Sequence, residues 1–455
     1  MSTNTIAAIS TGGGNSGINI IRISGPKSLE CVKKIFTNSK RIGHQKIIYG
    51  KIFRQKDKSI IDEVLLSYFK SPNSFTGEDV CEINCHGGRQ VTLDVLREVL
   101  TCGARLAEPG EFSKRAFLNG KMDLSKAEGI IDLINAKTSI QSKIAVSQLE
   151  GGLFNMIRRQ KEDLIELLAN IEVNIDYPEY DYDELDSDTI LKKLGDVSIH
   201  IEKSIKEYNE GKYLKNGINV AILGGPNAGK STLLNLLSKS NKAIVTDIEG
   251  TTRDVIEETV VLDNLVLNLS DTAGIRDTDD IIEKIGIERS IETIDKVDIV
   301  IYIVDASKGM SNKDEETIKL IKAKNKPIII CFNKNDLSRE TDKKKTIING
   351  DHLIYTSFLL NNGIEELKKA ITEKLNIKDI DKTEDNIIVN ERHNELLNYA
   401  LQQLKQAMEE INKGSGVDII EINIKEATNR LGEIIGENVS EDIMNKIFER
   451  FCLGK

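Results

Sequence analysis

"GGPNAGKS", Gly224 to Ser231, decides the fold of the middle of this chain. It fits G-x-x-x-x-G-K-[ST], follows the apolar run "INVAIL" (218–223) and leads into "STLLNLLSK" (231–239), the strand–loop–helix setting the motif requires. Glycines let the backbone wrap an anion so that N–H groups and a helix N-terminus face phosphate. Lys230 brings positive charge to the β- and γ-phosphates, and the Ser231 hydroxyl can ligate Mg²⁺. Asn227, Ala228, Gly229 and Thr232 complete the expected cradle. The other glycine run, "TGGGNSG" (11–17), lacks the lysine–hydroxyl ending and reads as a flexible turn.

Working outward, "DTAG" (271–274) follows the strand-like "LVLNLS" (265–270). Asp271 can hold Mg²⁺ through water, Gly274 N–H can sense the γ-phosphate, and Thr272 and Ala273 lie between them. "NKND" (333–336) follows "PIIICF" (327–332). An aspartate there accepts from guanine N1 and its exocyclic amine, which adenine does not offer, so Asn333, Lys334 and Asp336 select GTP. In "TSF" (356–358) the backbone at Ser357–Phe358 faces guanine O6, with Phe358 where GTPases usually carry alanine. Where many GTPases orient water with a glutamine after D-x-x-G, this chain has Ile275. Glu283 is the carboxylate expected to position water, whereas Arg253 and Arg276 serve equally well as charge stabilisers or surface arginines. The loop "TDIEGTT" (246–252), Asp247, Glu249 and Gly250 included, reads as GTP-binding. In it Thr252 is expected on Mg²⁺; Thr246, the Ile248 backbone and Thr251, with Asn227, surround a monovalent cation.

Residues 216–378 alternate short apolar runs with helical segments, the pattern of a doubly wound, mainly parallel sheet. Long helical periodicity occupies 121–215, broken by the acidic "DYPEYDYDELDSD" (176–188), which reads as a solvated connection. Helices return over 379–455: Leu397, Leu401, Leu404, Met408 and Ile411 form one apolar stripe, and Ile420, Ile424, Ala427, Leu431 and Ile434 another. Residues 1–120 mix strand-like "GINIIRIS", "KIIYGKIF", "DEVLLSYF" and "DVCEINC" with helix-like "KSLECVKKIF" and "RQVTLDVLREVL". The expected architecture is a multidomain α/β chain: an α+β N-terminal domain, a helical domain in two halves, and an inserted P-loop G domain. The end, "FERFCLGK" (448–455), places a thiol and a lysine beside two large apolar anchors, although chain ends are ordinarily frayed.

The 455 residues carry 29% charged and 39% hydrophobic side chains, and no stretch reaches the roughly 18–20 apolar residues of a membrane span. The start shows no secretion-signal pattern, so a cytoplasmic location and no membrane partner are expected. A formal charge of −10 argues against a protein that coats nucleic acid, while leaving room for a local basic patch or an RNA-binding partner. Six cysteines lack a pairing pattern and read as free thiols. Cys81 and Cys85 alternate with Glu82 and Asn84 as one strand face does, rather than as metal ligands.

With these residues in view, the chain resembles the MnmE (TrmE) family of tRNA modification GTPases over essentially its whole length. The particular stretches are "SFTGEDVCEINCHGG" (74–88), "EPGEFSKRAFLNGKMDLSKAE" (108–128), "GTTRD" (250–254) and the terminal "FCLGK". The resemblance implies a homodimer with a folate-binding N-terminal domain (1–120), helical halves at 121–215 and 379–455, and a K⁺-stimulated G domain (216–378). With the FAD-containing partner MnmG, such a protein adds a carboxymethylaminomethyl-type group at C5 of the wobble uridine of certain tRNAs, using 5-formyl- or methylene-tetrahydrofolate. By the same resemblance Asn227, Thr246, Ile248 and Thr251 hold K⁺, Ser231 and Thr252 hold Mg²⁺, and Glu283 is catalytic. Arg22, Glu78, Lys121 and Lys455 contact folate, with Cys452 facing that site in a catalytic or packing role. The loop "STGGGNSG" (10–17) departs from the proline-containing loop expected there. The competing reading is a regulatory ribosome-assembly GTPase, for which the first 120 residues and the Cys-Lys end have no evident use.

Overall fold

The computed structural model describes residues 4–12, 16–176, 187–240, 258–270, 294–337, 352–377 and 390–455. The first domain is built on β1 (Ile6–Ile9), β2 (Ile18–Ser24), β3 (Ile47–Phe53), β4 (Ile60–Phe69), β5 (Val80–His86) and β6 (Arg105–Leu106), ordered β3-β4-β5-β2-β1-β6. All pairings are antiparallel except β1 with β6. Period-two burial explains the layering. Ile21, Ile23, Cys81, Ile83, Val64 and Leu66 meet α1 (Ser28–Ile35) and α2 (Arg89–Thr101) through Cys31, Val32, Ile35, Val95 and Val99. Arg22 and Glu82, directly paired across β2 and β5, face the other side. There α3 (Glu111–Leu118) covers only one end of the sheet, where Phe112 packs with Ile6, Ala8 and Ala107. Cys81, Ile83 and Cys85 are core, and burial pushes the Cys81 thiol up to about 12, so it stays protonated.

The helical part begins with α4 (Leu124–Asn135), α5 (Ser139–Leu149), α6 (Gly152–Asp176) and α7 (Ser187–Asn216). It resumes, after the α/β unit described next, with three further helices. That unit contains β7 (Ile218–Gly224), α8 (Lys230–Ser240), β8 (Glu258–Leu262), β9 (Leu265–Leu269), β10 (Ile299–Asp305), α9 (Asn312–Ala323), β11 (Ile328–Asn333), β12 (His352–Tyr355) and α10 (Ile364–Lys374). Its sheet order is β12-β11-β10-β7-β9-β8, parallel except for β8 at the edge. All seven residues of β10 are buried, as a strand covered on both faces must be. The remaining helices are α11 (Glu391–Asn412), α12 (Val417–Ile435) and α13 (Glu441–Phe448).

Both expected stripes point inward: Leu397, Leu401, Leu404 and Ile411 are buried, as are Ile420, Ile424, Ala427, Leu431 and Ile434. They form one core with Leu164, Leu167, Ile171, Leu194 and Ile201 from α6 and α7. Each such leucine or isoleucine contributes about 1.5–3 kcal/mol on burial, so the two halves are one domain although the α/β unit separates them in sequence. Chain entry into that unit is fastened to α4 and α5: Gln141 donates to the Lys215 carbonyl (2.9 Å), and Lys215 pairs with Asp132 at 2.9 Å. At the return, Arg392 grips Glu128 of α4 with two bonds of 3.0 Å, and His393 lies 2.7 Å from the same carboxylate. Burial pushes the Glu128 carboxyl up, but the His393 and Arg392 contacts win and hold it far below the ordinary range. Among the described residues no helix is long and apolar enough to cross a membrane.

Candidate functional site

Two regions hold the expected residues. In the first, the loop between β7 and α8 carries Asn227 at φ 55° and Gly229 at φ 110°, left-handed values that wrap the chain around an anion-sized space. A Cβ on Gly229 would lie 2.1 Å from the Asn333 amide, so glycine is required. Asn333, at the end of β11, ties the loops together. Its Nδ2 donates to the Ala228 carbonyl (2.8 Å), and its Oδ1 accepts from the Phe358 N–H (3.0 Å). Both groups are buried, so the amide is fully committed to positioning. Ser357 donates to Asp336 at 2.6 Å, which orients that carboxylate. Phe358 is buried, its ring filling core space beside α8 while its backbone stays at the loop.

Lys230 donates to the carbonyls of Gly224 (2.9 Å) and Gly225 (2.8 Å), and burial lowers its pKa. An anion in the cradle favours the charged ammonium, so the donor set fits a polyphosphate. Ser231 and Thr232 open α8 beside it. One member of the site was absent from the sequence reading: Asp305, closing β10, pairs with Lys334 at 2.6 Å. Burial alone would raise the Asp305 carboxyl, but hydrogen bonds from Lys334 and Ser307 hold it below its ordinary value. An aspartate ending a wholly apolar strand, "IVIYIVD", was the available signal. Thr246, Asp247, Ile248, Glu249, Gly250, Thr251, Thr252, Asp271, Thr272, Ala273, Gly274 and Glu283, with Arg253 and Arg276, lie outside the described residues.

The second region lies where the chain end meets the first domain. Phe448 and Phe451 are buried with Leu124 and Ala127 of α4, their ring centroids 5.3 Å apart. Beyond them the tail is held by its carbonyls. The Phe112 N–H donates to Lys455 (3.2 Å), the Ser10 hydroxyl to Gly454 (3.0 Å), and the Gly110 N–H to Cys452 at a long 3.5 Å. Gly454 has φ 90°, and a Cβ there would stand 2.1 Å from the Ile9 carbonyl. Backbone anchoring leaves the Cys452 side chain exposed and that of Lys455 half-exposed.

Nearby, Arg22 pairs with Glu82 at 2.8 Å and lies 5.4 Å from the Phe75 ring centroid and 5.8 Å from that of Phe112. Glu78 accepts from Ser24 (2.7 Å) and from Arg115 (3.0 and 3.1 Å), and Arg115 also binds Glu111. Lys121 reaches the Pro72 carbonyl at 3.1 Å, its stem lying 3.2 Å from where a Cβ on Gly77 would stand. Arg22 thus shares one sheet face with Phe112 and the tail, while Glu78 and Lys121 stand along the adjoining 72–78 loop. Phe75, Glu82, Phe112 and Arg115 escaped the sequence reading, because their convergence depends on strand pairing and on α3 folding back. Among the described residues no group of His, Cys, Asp and Glu is arranged to hold a metal.

Matches to known proteins span both regions. A family model described as the MnmE helical domain matches residues 124–452, and one described as the GTP-binding protein TrmE N-terminus matches residues 5–121. The tRNA modification GTPase MnmE of Acetivibrio thermocellus is 45% identical over 456 residues, 99% of each chain. Those of Bacillus mycoides (100% of each chain) and Clostridioides difficile (99% of each) are both 43% identical. Among solved structures, Era of Aquifex aeolicus bound to GDP·AlF₄⁻ is 24% identical over 41% of this chain and 66% of that one. Its TM-score of 0.27 adds nothing to the sheet order described above.

Proposed function

The chain belongs to the MnmE (TrmE) family of tRNA modification GTPases and is a GTP hydrolase with a role in tRNA modification; from that premise we propose a K⁺-stimulated enzyme that spends GTP on folate-dependent chemistry at the wobble uridine. The observation that carries this reading is the docked tail. A GTPase that only regulated ribosome assembly would have no use for a C-terminus held by three carbonyls beside Arg22 and Phe112.

In this reading Arg22, Glu78, Lys121 and Lys455 contact a 5-formyl- or methylene-tetrahydrofolate, and Cys452 faces it. The fit is chemical: a guanidinium near two aromatic rings and a terminal lysine suit a flat, polar heterocycle with an anionic tail. In the G domain, residues 227–232, 246–252, 271–274, Asn333, Lys334, Asp336, Ser357 and Phe358 bind GTP. Ser231 and Thr252 would hold Mg²⁺; Asn227, Thr246, Ile248 and Thr251 would hold K⁺, which supplies the positive charge that other GTPases take from an arginine. Glu283 positions the attacking water. The units assigned are residues 1–120 (folate binding and dimerisation), 121–215 with 379–455 (helical), and 216–378 (G domain).

A homodimer is supported by the open sheet face, where Ile47 and Tyr49 of β3 and Leu65 of β4, the partner of Tyr49, are exposed on the face that carries Arg22. The remaining partners are the FAD-containing MnmG and tRNA, in the cytoplasm. The test is mass spectrometry of wobble nucleosides from the host with and without the gene. Loss of C5-aminomethyl-type uridines, restored by the intact gene but not by one lacking Lys455, is expected; unchanged nucleosides would leave a GTPase with another target.

A further inference from the structure

The overall charge of −10 conceals a polar division of the chain. Residues 1–120 carry seventeen Lys/Arg against eleven Asp/Glu, a net +6, which leaves −16 on the rest. The imbalance is concentrated further, since residues 27–58 hold ten basic side chains and two acidic ones. Lys27 lies beside Thr5 at the β1 side, and the fold sets most of the others along the β3 edge of the sheet. Lys33 and Lys34 end α1. The chain then runs antiparallel beside β3, with Phe36 bridging Ile52 and the Thr37 N–H bonding the Lys51 carbonyl. A short turn brings Lys40 and Arg41 to the start of β3, where Lys46 enters it and Lys70 leaves β4. There the His44 ring accepts from the Lys70 N–H, so the two segments meet.

Seven residues of β3 make this edge about 20 Å long. Glu30 takes Lys34, Glu63 takes Lys51 and Asp94 takes Arg54. Lys33, Lys40, Arg41, Lys46 and Lys70 are exposed and form no ion pair among the described residues. Like charges gathered without counter-charges repel one another and cost stability, so their retention on one rim calls for an anionic partner. Among the described residues the large apolar side chain exposed next to them is Ile47, which shares the open sheet face with Tyr49. Lysines on flexible stems suit a phosphate backbone, which needs charge at many points rather than one shape.

We propose that this rim, Lys33, Lys40, Arg41, Lys46 and Lys70, docks the phosphate backbone of the tRNA substrate. The proposal rests on the tRNA-modification reading above. It assigns to the N-terminal domain the sequence-independent grip on RNA, on the β3 edge that borders the open face with Tyr49 and Arg22.

The test is fluorescence anisotropy of the full chain, nucleotide-free, with a labelled, unmodified tRNA transcript over roughly 50–200 mM NaCl. The variant Lys33→Gln/Lys40→Gln/Arg41→Gln/Lys46→Gln should bind at least tenfold more weakly, with a salt slope shallower by about 0.7–0.9 per lost phosphate contact. Its GTP turnover should match wild type. A control exchanging the exposed Lys192, Lys296, Lys319 and Lys369 for glutamine should bind normally. In the wild-type chain, bound tRNA should shield Lys33, Lys40 and Lys46, but not Lys192, from acetylation, a readout that needs no variant. Binding within twofold of wild type, an equal loss in the control, or unshielded rim lysines would overturn the proposal. So would normal tRNA binding with failed modification in the reconstituted system, which would point to an acidic protein partner. Failure of the underlying reading shows separately, as unchanged wobble nucleosides after gene deletion.

Discussion

Replacing Gly454 by alanine tests whether the terminus is held where the structure puts it. At φ 90° an alanine is strained by about 1–3 kcal/mol, and its Cβ would sit 2.1 Å from the Ile9 carbonyl, a contact the backbone must relieve by moving. Against this stand the bonds from Ser10 and Phe112, worth about 1 kcal/mol each. Strain and clash together exceed those two bonds, so Gly454 and Lys455 should leave. Phe451 should stay, because its buried ring contributes about 1.5–3 kcal/mol of its own and lies outside the strained turn. The assay is amide hydrogen exchange by NMR. Phe112 should lose protection by one to two orders of magnitude, while the β10 amides and GTP turnover remain unchanged. Tetrahydrofolate affinity should fall about tenfold or more. Gly414→Ala is the control: its φ is 72°, but nothing lies within 4 Å of the added Cβ. If Gly454→Ala leaves Phe112 protection and folate affinity at wild-type values, the docking argument is wrong.

Asn333→Ala removes the link between the P-loop and the 356–358 loop and leaves two buried partners unsatisfied. A loss of about 2–4 kcal/mol in G-domain stability is expected by thermal unfolding, with GTP affinity at least tenfold weaker; unchanged affinity would contradict the positioning role. Asp336→Asn should weaken GTP binding by about 1.5–3 kcal/mol through loss of charged hydrogen bonds, and equal discrimination against ATP in mutant and wild type would refute it. Glu283→Ala should bind GTP nearly normally yet hardly hydrolyse it, and wild-type turnover in K⁺ would remove that residue from catalysis. The Glu128–His393 pair predicts acid sensitivity of the helical domain. Burial, which outweighs the attraction of Glu128, lowers the folded His393 pKa below 6.5, and the Glu128 carboxyl lies below 4.5. Both groups therefore bind protons more readily unfolded. Stability is full above about pH 6.5 and falls as pH drops, first through histidine and then through glutamate. Urea midpoints from pH 8 to 4 should show this fall, and Glu128→Gln should abolish its lower part.

Much of this was readable from the chain, and the exceptions have physical reasons. "IVIYIV" announced a strand buried on both faces, and the 3–4 residue stripes of α11 and α12 announced helix faces. The four residues of β1 and the two of β6 are too short to show a period. The strand β8 was visible only as half of a hairpin: "VVLDNLVL" turns at Asp263, φ 53°, and the second half alone was recognised. The P-loop was legible because its residues are consecutive, Gly224 to Ser231 between β7 and α8. By contrast the Asp305–Lys334 pair and the Glu128–Arg392–His393 cluster join residues tens to hundreds of positions apart, and nothing local marks them. The tail's anchors, Phe448 and Phe451, were legible as an apolar pair. Its carbonyl clamp was not, since Ser10, Gly110 and Phe112 become neighbours of Lys455 only in the fold.

The most direct measurement is equilibrium dialysis of 5-formyltetrahydrofolate against the purified full chain and against the same chain lacking residues 452–455, with GTP binding measured on both. One folate site per chain that disappears with the four residues, while GTP affinity stays within twofold, is the result this account predicts. Equal folate binding by both chains, or none by the intact one, would contradict a folate site completed by the protein's own C-terminus.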